Sequence, residues 1–364
     1  MNKTRNIGLD MARVAAIALV WIGHSGFFSI GMNPKVMEFW GGIFCLEVFF
    51  ALSGFLVGRS MILTVTSRDP GPAFKKFYIN RLIRTIPLYY LVLLALWFIT
   101  SQRPPLSCFL FLQNFSGEDL GYFPPSWSLP VEAWFYFLIP PVFFLLYRLF
   151  SRKHPEKVSV FAAIILLCLV PFLLRVWQVV TTDPTWDYGV RKQIPLRMDA
   201  LMLGVLLSAA KLYAPEAYQR EARKHRYLLI SVAGMAVLYG WYLADLWDHF
   251  DDSNLGRILI FTLVPMLCCL LVAYLENSPL PEKLRGTFLE KGISGTSSIG
   301  YSVYLVHYIV FQMVAPYFEG TGFLVSWLGF GLAIGISLVI SYLAYRLIEQ
   351  PLTRLRDFLL RLTA

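Results

Sequence analysis

The sequence predicts an all-α membrane protein, a polytopic transmembrane bundle of about ten helices with both termini in the cytoplasm. Three observations lead to this fold class. First, 57% of the 364 residues are hydrophobic and 15% are charged, and the mean hydropathy is +0.59, whereas soluble domains carry about 25% charged residues. Second, apolar stretches long enough to cross a bilayer recur along the chain. Third, lysine and arginine collect in alternate connections between these stretches, as they do in cytoplasmic loops.

The apolar stretches follow one another without a gap for a second domain, so we expect residues 1–364 to form a single membrane domain with no fused soluble domain. In chain order the ten predicted spans are Ile7–Phe28, Phe39–Leu63, Thr85–Thr100, Ser128–Leu149, Val158–Val180, Ile194–Tyr213, Tyr227–Trp247, Leu255–Leu275, Ile299–Phe318 and Phe323–Leu347. The stretch Leu106–Phe115 is too short to cross and is expected to be interfacial or re-entrant.

The net charge of +9 follows from this topology, because cations in cytoplasmic loops explain it without a nucleic-acid partner. The five cysteines lie in apolar stretches without the spacing of a metal site, which is typical of buried, inert thiols. Walker loops, dinucleotide fingerprints and Gly-x-Ser-x-Gly elbows are absent from the sequence. The sequence therefore predicts no metal site.

The first predicted span carries ionisable residues that a plain anchor would not contain, since charge in the hydrocarbon region is costly. Arg13 and His24 are eleven residues apart, so on a helix they share a face and lie about 16 Å apart along the axis. The pattern is typical of a general base at His24, with Arg13 binding an anionic group. Alternatively, Arg13 pairs with Asp10 three residues earlier, and His24 is an interfacial histidine bonded to a loop.

A basic segment, interpreted as a loop, precedes the third span at its cytoplasmic mouth. It contains Lys75, Lys76, Arg81 and Arg84. Four cations suit a polyanionic phosphate ligand, and arginine offers bidentate contacts. Alternatively, the segment is ordinary positive-inside charge that contacts lipid headgroups.

The fourth span follows a proline-rich loop and carries an intramembrane carboxylate, Glu132, with Tyr136 one turn further on. Ser128 is expected to cap this helix, and Trp127 either joins the site or belongs to an interfacial aromatic belt. Glu132 and His24 each lie about one turn from the outer end of their helices. We therefore expect the carboxylate and the imidazole at the same depth.

Two other spans carry polar residues that either belong to a functional site or hold helices together. Glu47 is a second intramembrane carboxylate, and Gly54 and Gly58 form a small-xxx-small pair that predicts close helix packing. His307 shares a predicted helix face with Tyr301, Tyr304 and Phe311. This stripe is either functional or bonded to a neighbouring helix.

Charged residues near two helix ends are expected to form local or interhelical ion pairs. Arg197 would pair with Asp199, and Arg346 with Glu349. The step Glu349-Gln350-Pro351 is expected to end the last helix, because proline interrupts helical hydrogen bonding.

Taken in order, these segments resemble the integral-membrane acyltransferase family 3, whose members O-acylate glycans and some small glycosylated products. The matching segments cover nearly the whole chain and are LDMARVAAIALVWIGH, EVFFALSGFL, FYINRLIRTIPLYY, SWSLPVEAWFY, GYSVYLVH and YRLIEQPL. The family has a pattern of a basic residue, ten further residues and then a histidine, which matches Arg13 and His24 in this sequence. Its Arg-x-x-Arg pattern falls on Arg81 and Arg84, and its Ser-to-Glu element on 128–132. The chain departs from the family pattern at Met11, Ala15, Glu47 and Pro130.

The resemblance implies an acyltransferase that moves an acyl group, such as acetyl, from cytoplasmic acyl-CoA to a carbohydrate hydroxyl on the far side of a bacterial inner membrane. It implies that His24 acts as base or as transient acyl carrier, and that Glu132 orients the imidazole or binds the sugar. The CoA donor would contact Arg13, Lys75, Lys76, Arg81 and Arg84. The acceptor would contact Trp127, Ser128, Tyr136, Glu47 and His307.

A second class of protein fits the same residues. Intramembrane His, Arg and Glu also occur in proton-coupled carriers, so a transporter or flippase for a glycan or an organic anion is the alternative. Consumption of acyl-CoA with a mass gain on a glycan separates the two classes. A membrane scaffold is a third hypothesis and requires none of the intramembrane charges. The sequence leaves the acceptor, the acyl length and the oligomeric state open.

Overall fold

The structure, a computed structural model, describes residues 5–116, 118–278, 283 and 285–362. In this part of the chain the regular elements are helical and no strand occurs. The longer helices are α1 (Ile7–Gly23), α2 (Pro34–Val65), α3 (Pro70–Thr100), α4 (Ser128–Phe150), α5 (Glu156–Thr182), α6 (Ile194–Tyr213), α7 (Pro215–Ala222), α8 (His225–His249), α9 (Asn254–Asn277), α10 (Phe288–Ser298), α11 (Gly300–Phe318), α12 (Phe323–Ala344) and α13 (Gln350–Leu362). The stretch too short to cross forms one-turn helices at Leu106–Phe109 and Gln113–Ser116.

The helices bear out the predicted membrane architecture. Within the described residues, seven helical segments are long and apolar enough to cross a membrane, and two bent pairs raise the number to nine. The bent pairs are α6 with α7, at 117°, and α10 with α11, at 75°. α1 has 17 residues and is followed by the 3-10 turn Ser25–Phe28. α1 is not among these candidates, but each of the ten predicted spans coincides with a helix. The all-α transmembrane fold is confirmed, with seven to nine candidate spans among the described residues.

Two helix boundaries differ from the sequence prediction. α3 begins at Pro70, so the basic segment interpreted as a loop is the first half of a helix. Hydropathy misses this half because lysine and arginine are polar yet good helix formers. At the other end, Pro351 does not end the last helix. A π-turn at Tyr345–Glu349 leads into α13, and the helical segment Phe323–Leu360 runs through Pro351 without a break.

The described residues divide into two compact units. The first unit contains described residues of 1–46, 83–104 and 278–364, and the second contains those of 47–82 and 105–277. Two of the four divisions fall inside α2 and α3.

In the first unit, α1 packs against the start of α2 and against α10 and α11. The contact with α2 requires two glycines, because a Cβ at Gly41 would lie 2.3 Å from the Gly23 Cα. The rings of Phe28, Phe311 and Phe330 pack together where α11 meets α12. The centroid distances are 5.5 Å for Phe28–Phe311, 5.6 Å for Phe311–Phe330 and 5.7 Å for Phe28–Phe330, all in edge-to-face arrangements. These contacts support the end of α1, where His24 follows, and α11, which contains His307.

In the second unit, α2 packs tightly on α6 through the predicted glycine pair. A Cβ at Gly54 would lie 1.9 Å from the Leu201 carbonyl oxygen, and one at Gly58 would lie 2.6 Å from the Ser208 Cβ. The prediction that Gly54 and Gly58 form a helix-packing surface is confirmed.

Both predicted ion pairs are wrong, because each of these charged side chains bonds to a residue other than the predicted one. Arg197 pairs with Glu47 on α2, while Asp199 pairs with Arg175 on α5 at 2.6 Å. Both arginine side chains are fully buried, where an unpaired charge would be costly. In the first unit, Arg346 donates to Gln350, and Glu349 accepts a hydrogen bond from Ser302.

Candidate active site

His24 caps the C-terminal end of α1. Its Nδ1 lies 2.9 Å from the carbonyl oxygen of Val20, one turn earlier. Because a carbonyl oxygen can only accept a hydrogen bond, Nδ1 carries the proton of the neutral ring and Nε2 is the basic nitrogen. The backbone of α1 therefore fixes the tautomer in which His24 can take a proton at Nε2.

Two aromatic side chains of α11 lie against the His24 ring. The ring centroids of His24 and His307 are 5.1 Å apart, and those of His24 and Tyr308 are 5.5 Å apart, both edge-to-face. His24 is half-buried and His307 is 0% exposed. The sequence pattern singled out His307 but not Tyr308. The one sign of Tyr308 in the sequence is that it directly follows His307.

Arg13 is held at the other end of α1 by polar groups. Its Nη1 lies 2.6 Å from Ser297 Oγ and 3.3 Å from Asp10 Oδ1. Asp10 also accepts hydrogen bonds from Ser297, at 2.5 Å, and from Arg5. The Asp10 pair that was the alternative interpretation of Arg13 is thus present, within a network that also includes α10.

Arg13 and His24 contact the same neighbouring segment of the chain. Arg13 reaches Ser297 at the end of α10, and its Cδ would lie 3.5 Å from a Cβ at Gly300. His24 contacts His307 on α11, two turns beyond Gly300. The two side chains therefore lie on the same side of α1, as their spacing indicates.

In the second unit, the intramembrane carboxylate of Glu132 is joined to a tyrosine and an arginine. The hydroxyl of Tyr136 donates a hydrogen bond to Glu132 Oε1. The guanidinium of Arg81 lies over the Tyr136 ring, 5.8 Å from its centroid, a geometry in which the ring face attracts the cation. The predicted meeting of Glu132 with His24 stays a prediction, because the two residues belong to different units.

Trp127 is buried, and a charged group from the α5–α6 connection covers it. The Arg191 guanidinium lies 4.8 Å from the Trp127 ring centroid, and Asp187 holds Arg191 at 2.6 Å and Lys192 at 2.6 Å. Burial raises the pKa of the Asp187 carboxyl, but the two cations outweigh burial and bring that pKa below its usual value. Trp127 is thus fixed in the protein and does not form an exposed aromatic belt.

Ser128 does not cap α4 as predicted. A 3-10 turn at Pro124–Trp127 leads directly into the helix, and no side chain makes the capping hydrogen bond. Ser128 already has helical angles (φ −75°, ψ −24°), whereas a capping serine needs an extended backbone. Ser128 is buried at the start of the helix.

The cations assigned to a phosphate ligand all lie on α3. Lys75, Lys76 and Arg84 are exposed. Arg81 is half-buried, and its guanidinium lies over the Tyr136 ring. Arg84 belongs to the first unit and the other three to the second. Exposed lysine and arginine heads on a helix can contact a polyanion without displacing structural partners.

Glu47 is occupied by the fold. Its side chain is 1% exposed and its Oε1 accepts the hydrogen bond from Arg197. Its contribution to acceptor binding stays a prediction, while its ion pair links α2 to α6 within the second unit. Among the residues that the structure describes, no group of three His, Cys, Asp or Glu side chains is placed to hold a metal ion.

Comparison with known proteins gives a family match over most of the chain. A family model described as an acyltransferase domain matches residues 6–346. The chain is 23% identical over 367 residues to the putative peptidoglycan O-acetyltransferase YrhL of Bacillus subtilis, an alignment that covers 95% of this chain and 54% of that protein. It is 24% identical over 379 residues to the O-acetyltransferase OatA of Staphylococcus aureus, covering 95% and 57%.

A third relative is the peptidoglycan O-acetyltransferase OatA of Listeria monocytogenes, 23% identical over 339 residues, covering 86% of this chain and 52% of that protein. The chain thus spans about half the length of the curated relatives that it matches. No solved structure matches the chain.

Proposed function

Because the chain belongs to the acyltransferase-domain family, whose model matches residues 6–346, we propose that it transfers an acyl group, such as acetyl, from cytoplasmic acyl-CoA to a carbohydrate hydroxyl outside the cytoplasmic membrane of a bacterium. The observation that carries this proposal is the environment of His24. The Val20 carbonyl holds the Nδ1 proton, and the ring is half-buried at the end of a membrane helix.

The proposed chemistry is general-base catalysis at the Nε2 of His24. Nε2 removes the proton of the acceptor hydroxyl while the oxygen attacks the thioester carbonyl carbon. The carbon–sulfur bond then breaks, and the proton passes from Nε2 to the departing CoA sulfur. In the covalent variant of this scheme Nε2 first accepts the acyl group and then passes it to the hydroxyl. Both routes need the same tautomer of His24.

The donor is assigned to the cations of α3 and to Arg13. Lys75, Lys76 and Arg84 expose their charged heads, which suits the phosphates of CoA. Arg13 keeps a 20% exposed side chain within its Asp10–Ser297 network, and we assign it to the stem of the donor.

The acceptor is assigned to Glu132 and its neighbours in the second unit. A carboxylate that already accepts the Tyr136 hydroxyl retains acceptor capacity for a sugar hydroxyl. Trp127 and Ser128 lie at the start of the same helix. Two of the relatives are named for peptidoglycan, so a cell-wall glycan is the proposed class of acceptor.

The experiment reconstitutes the chain in vesicles with acetyl-CoA on one side and soluble peptidoglycan fragments on the other. The proposal predicts acetyl-CoA consumption and acetylated fragments, both detected by mass spectrometry. A transporter would instead move unmodified fragments and show counterflow without consuming acetyl-CoA. That second result would replace the proposal with the carrier alternative.

A further inference from the structure

α10 runs close to the plane of the membrane. It meets α11 at 75°, and α11 crosses the bilayer beside α12, against which it packs. Because spanning helices tilt by about 20° on average, a helix at this angle to one of them lies within about 35° of the membrane plane. The start of α11 lies on the same side as the end of α12, since a short turn, 319–322, joins the two helices. This is the cytoplasmic side, where the C-terminus lies.

The end of α10 away from α11 exposes apolar and cationic side chains together. The exposed set is termed the α10 surface and consists of Lys283, Arg285, Phe288, Leu289 and Lys291. Phe288 is 91% exposed and Leu289 is 54% exposed. Among residues 283 and 285–298 the one carboxylate is that of Glu290, which is half-buried and accepts a hydrogen bond from the Gly286 N–H at 2.6 Å. Three exposed cations therefore stand against one carboxylate.

This combination of side chains fits the inner leaflet of a membrane that contains anionic phospholipids. An interfacial helix buries phenylalanine and leucine about 5–10 Å into the boundary between headgroups and acyl chains. Its lysine and arginine side chains stay at the level of the phosphates, and each adds about fivefold to the attraction for an anionic leaflet. Since α10 continues directly from the membrane-crossing α11, its surface already lies at this boundary.

The other end of α10 is bonded to α1 at the arginine that we assign to the donor. Ser297 Oγ lies 2.6 Å from Arg13 Nη1. Arg5 donates a hydrogen bond to the Ser294 carbonyl oxygen at 2.5 Å. About 14 Å of continuous helix separates Phe288 from Ser297. Whatever holds the Phe288 end of this helix therefore also holds Ser297 against Arg13.

We propose that the α10 surface docks on anionic phospholipids of the cytoplasmic leaflet, and that this docking keeps Ser297 in place against Arg13. Phe288 and Leu289 enter the acyl boundary, and the three cations bind phosphate oxygens of neighbouring headgroups. The docking does not depend on the proposed function. Its effect on acetyl-CoA, which acts through Arg13, rests on that function.

Site-specific photocrosslinking tests the docking. The variant Phe288→p-benzoylphenylalanine is placed in nanodiscs of equal phosphatidylcholine and phosphatidylglycerol, and mass spectrometry identifies the attached lipid. We expect phosphatidylglycerol adducts to outnumber phosphatidylcholine adducts at least about fivefold. The control is Val339→p-benzoylphenylalanine, because Val339 is an exposed residue of α12 with no cation within one turn. The control should report the bulk lipid ratio.

Two matched double variants show whether the cations select the lipid. Adding Arg285→Gln and Lys291→Gln should bring the adducts at position 288 close to the bulk ratio. Adding Arg152→Gln and Lys153→Gln, which removes the same two charges from the turn between α4 and α5, should leave the selection unchanged. Equal adducts of both lipids without these changes would overturn the docking. Adducts to a second copy of the chain in place of lipid would also overturn it.

Hydrogen exchange tests the hold on Ser297 without turnover. Phe288→Ser removes the apolar anchor, and the backbone amides of 293–298 should then exchange about threefold faster in the same nanodiscs. Phe323→Ser removes an exposed phenylalanine from the start of α12 and should leave this exchange unchanged. Equal exchange in wild type and Phe288→Ser would overturn the link between the docked surface and Arg13.

Kinetics tests the effect on the donor. Phe288→Ser should raise the KM for acetyl-CoA about threefold, somewhat less than complete loss of the Ser297 hydrogen bond, and Phe323→Ser should leave it unchanged. An unchanged KM in Phe288→Ser despite faster exchange would overturn the effect on the donor. If wild type consumes no acetyl-CoA, the proposed function fails, while selective crosslinks and faster exchange still support the docking.

Discussion

Arg13 Nη1 lies 2.6 Å from Ser297 Oγ, and Ser297 in turn donates to Asp10 at 2.5 Å. These two hydrogen bonds link α1 to α10 and hold the guanidinium that we assign to the acyl-CoA donor. Arg13 therefore has a fixed position before any donor arrives.

Loosening this network should weaken donor binding. We expect Ser297→Ala to raise the KM for acetyl-CoA about fivefold, the effect of one lost hydrogen bond, and Arg13→Lys to raise it about tenfold, because an ammonium lacks the planar fork of arginine. Steady-state kinetics measures both. Ser337→Ala is the control, since Ser337 is buried and its Oγ bonds to Ala333 of its own helix. An unchanged KM in Arg13→Lys would contradict the assignment.

The Glu132–Tyr136 pair should govern the acceptor and not the donor. Glu132→Gln removes the negative charge and should raise the KM for the glycan at least tenfold, since hydrogen bonds to charged groups are worth about 1.5–3 kcal/mol. Tyr136→Phe should raise it about threefold, because it removes the hydroxyl that orients the carboxylate. Tyr147→Phe on the same helix is the matched control. If the KM for acetyl-CoA rises instead of that for the glycan, Glu132 belongs to the donor site.

The exposed lysines of α3 should contribute to phosphate recognition. We expect the double variant Lys75→Ala, Lys76→Ala to raise the KM for acetyl-CoA and to weaken its dependence on salt, because fewer screened charge contacts remain. Wild type should discriminate against 3′-dephospho-acetyl-CoA, and the variant should discriminate less. Lys153→Ala serves as control, because Lys153 is an exposed lysine in the turn between α4 and α5. Equal discrimination by both proteins would favour the alternative that these lysines contact lipid headgroups.

The contact of Gly54 with α6 should be essential for stability. A Cβ there would lie 1.9 Å from the Leu201 carbonyl oxygen, so Gly54→Ala should lower the free energy of unfolding by about 1–3 kcal/mol. Gly240 has no atom within 4 Å of an added Cβ, and Gly240→Ala should leave stability unchanged or raise it. Thermal unfolding in detergent measures the difference. Equal midpoints for the two variants would contradict the close packing of α2 on α6.

Hydropathy and helical periodicity predicted the features that depend on local sequence. A helix lies at each of the ten spans that they predicted, and the spacing of Arg13 and His24 placed both side chains toward one neighbouring segment. The small-xxx-small spacing of Gly54 and Gly58 predicted a packing surface because small side chains have one main use between membrane helices.

Features that depend on distant residues could not be predicted in the same way. Arg197 was assigned to Asp199 because the two are close in sequence, yet its partner Glu47 lies 150 residues away. The contact of His24 with His307 likewise needs the packing of α1 on α11. Ser128 was misjudged for a local reason, because the turn before it is already helical and removes the need for a cap.

The most direct test of the account is the turnover of His24→Ala in vesicles that contain acetyl-CoA and soluble peptidoglycan fragments. His249, the exposed last residue of α8, gives the matched variant His249→Ala. The account predicts that His24→Ala inserts and unfolds like wild type but loses acyl transfer by at least about 1,000-fold, while His249→Ala keeps full activity. Acetylated fragments produced by His24→Ala at the wild-type rate would contradict the account.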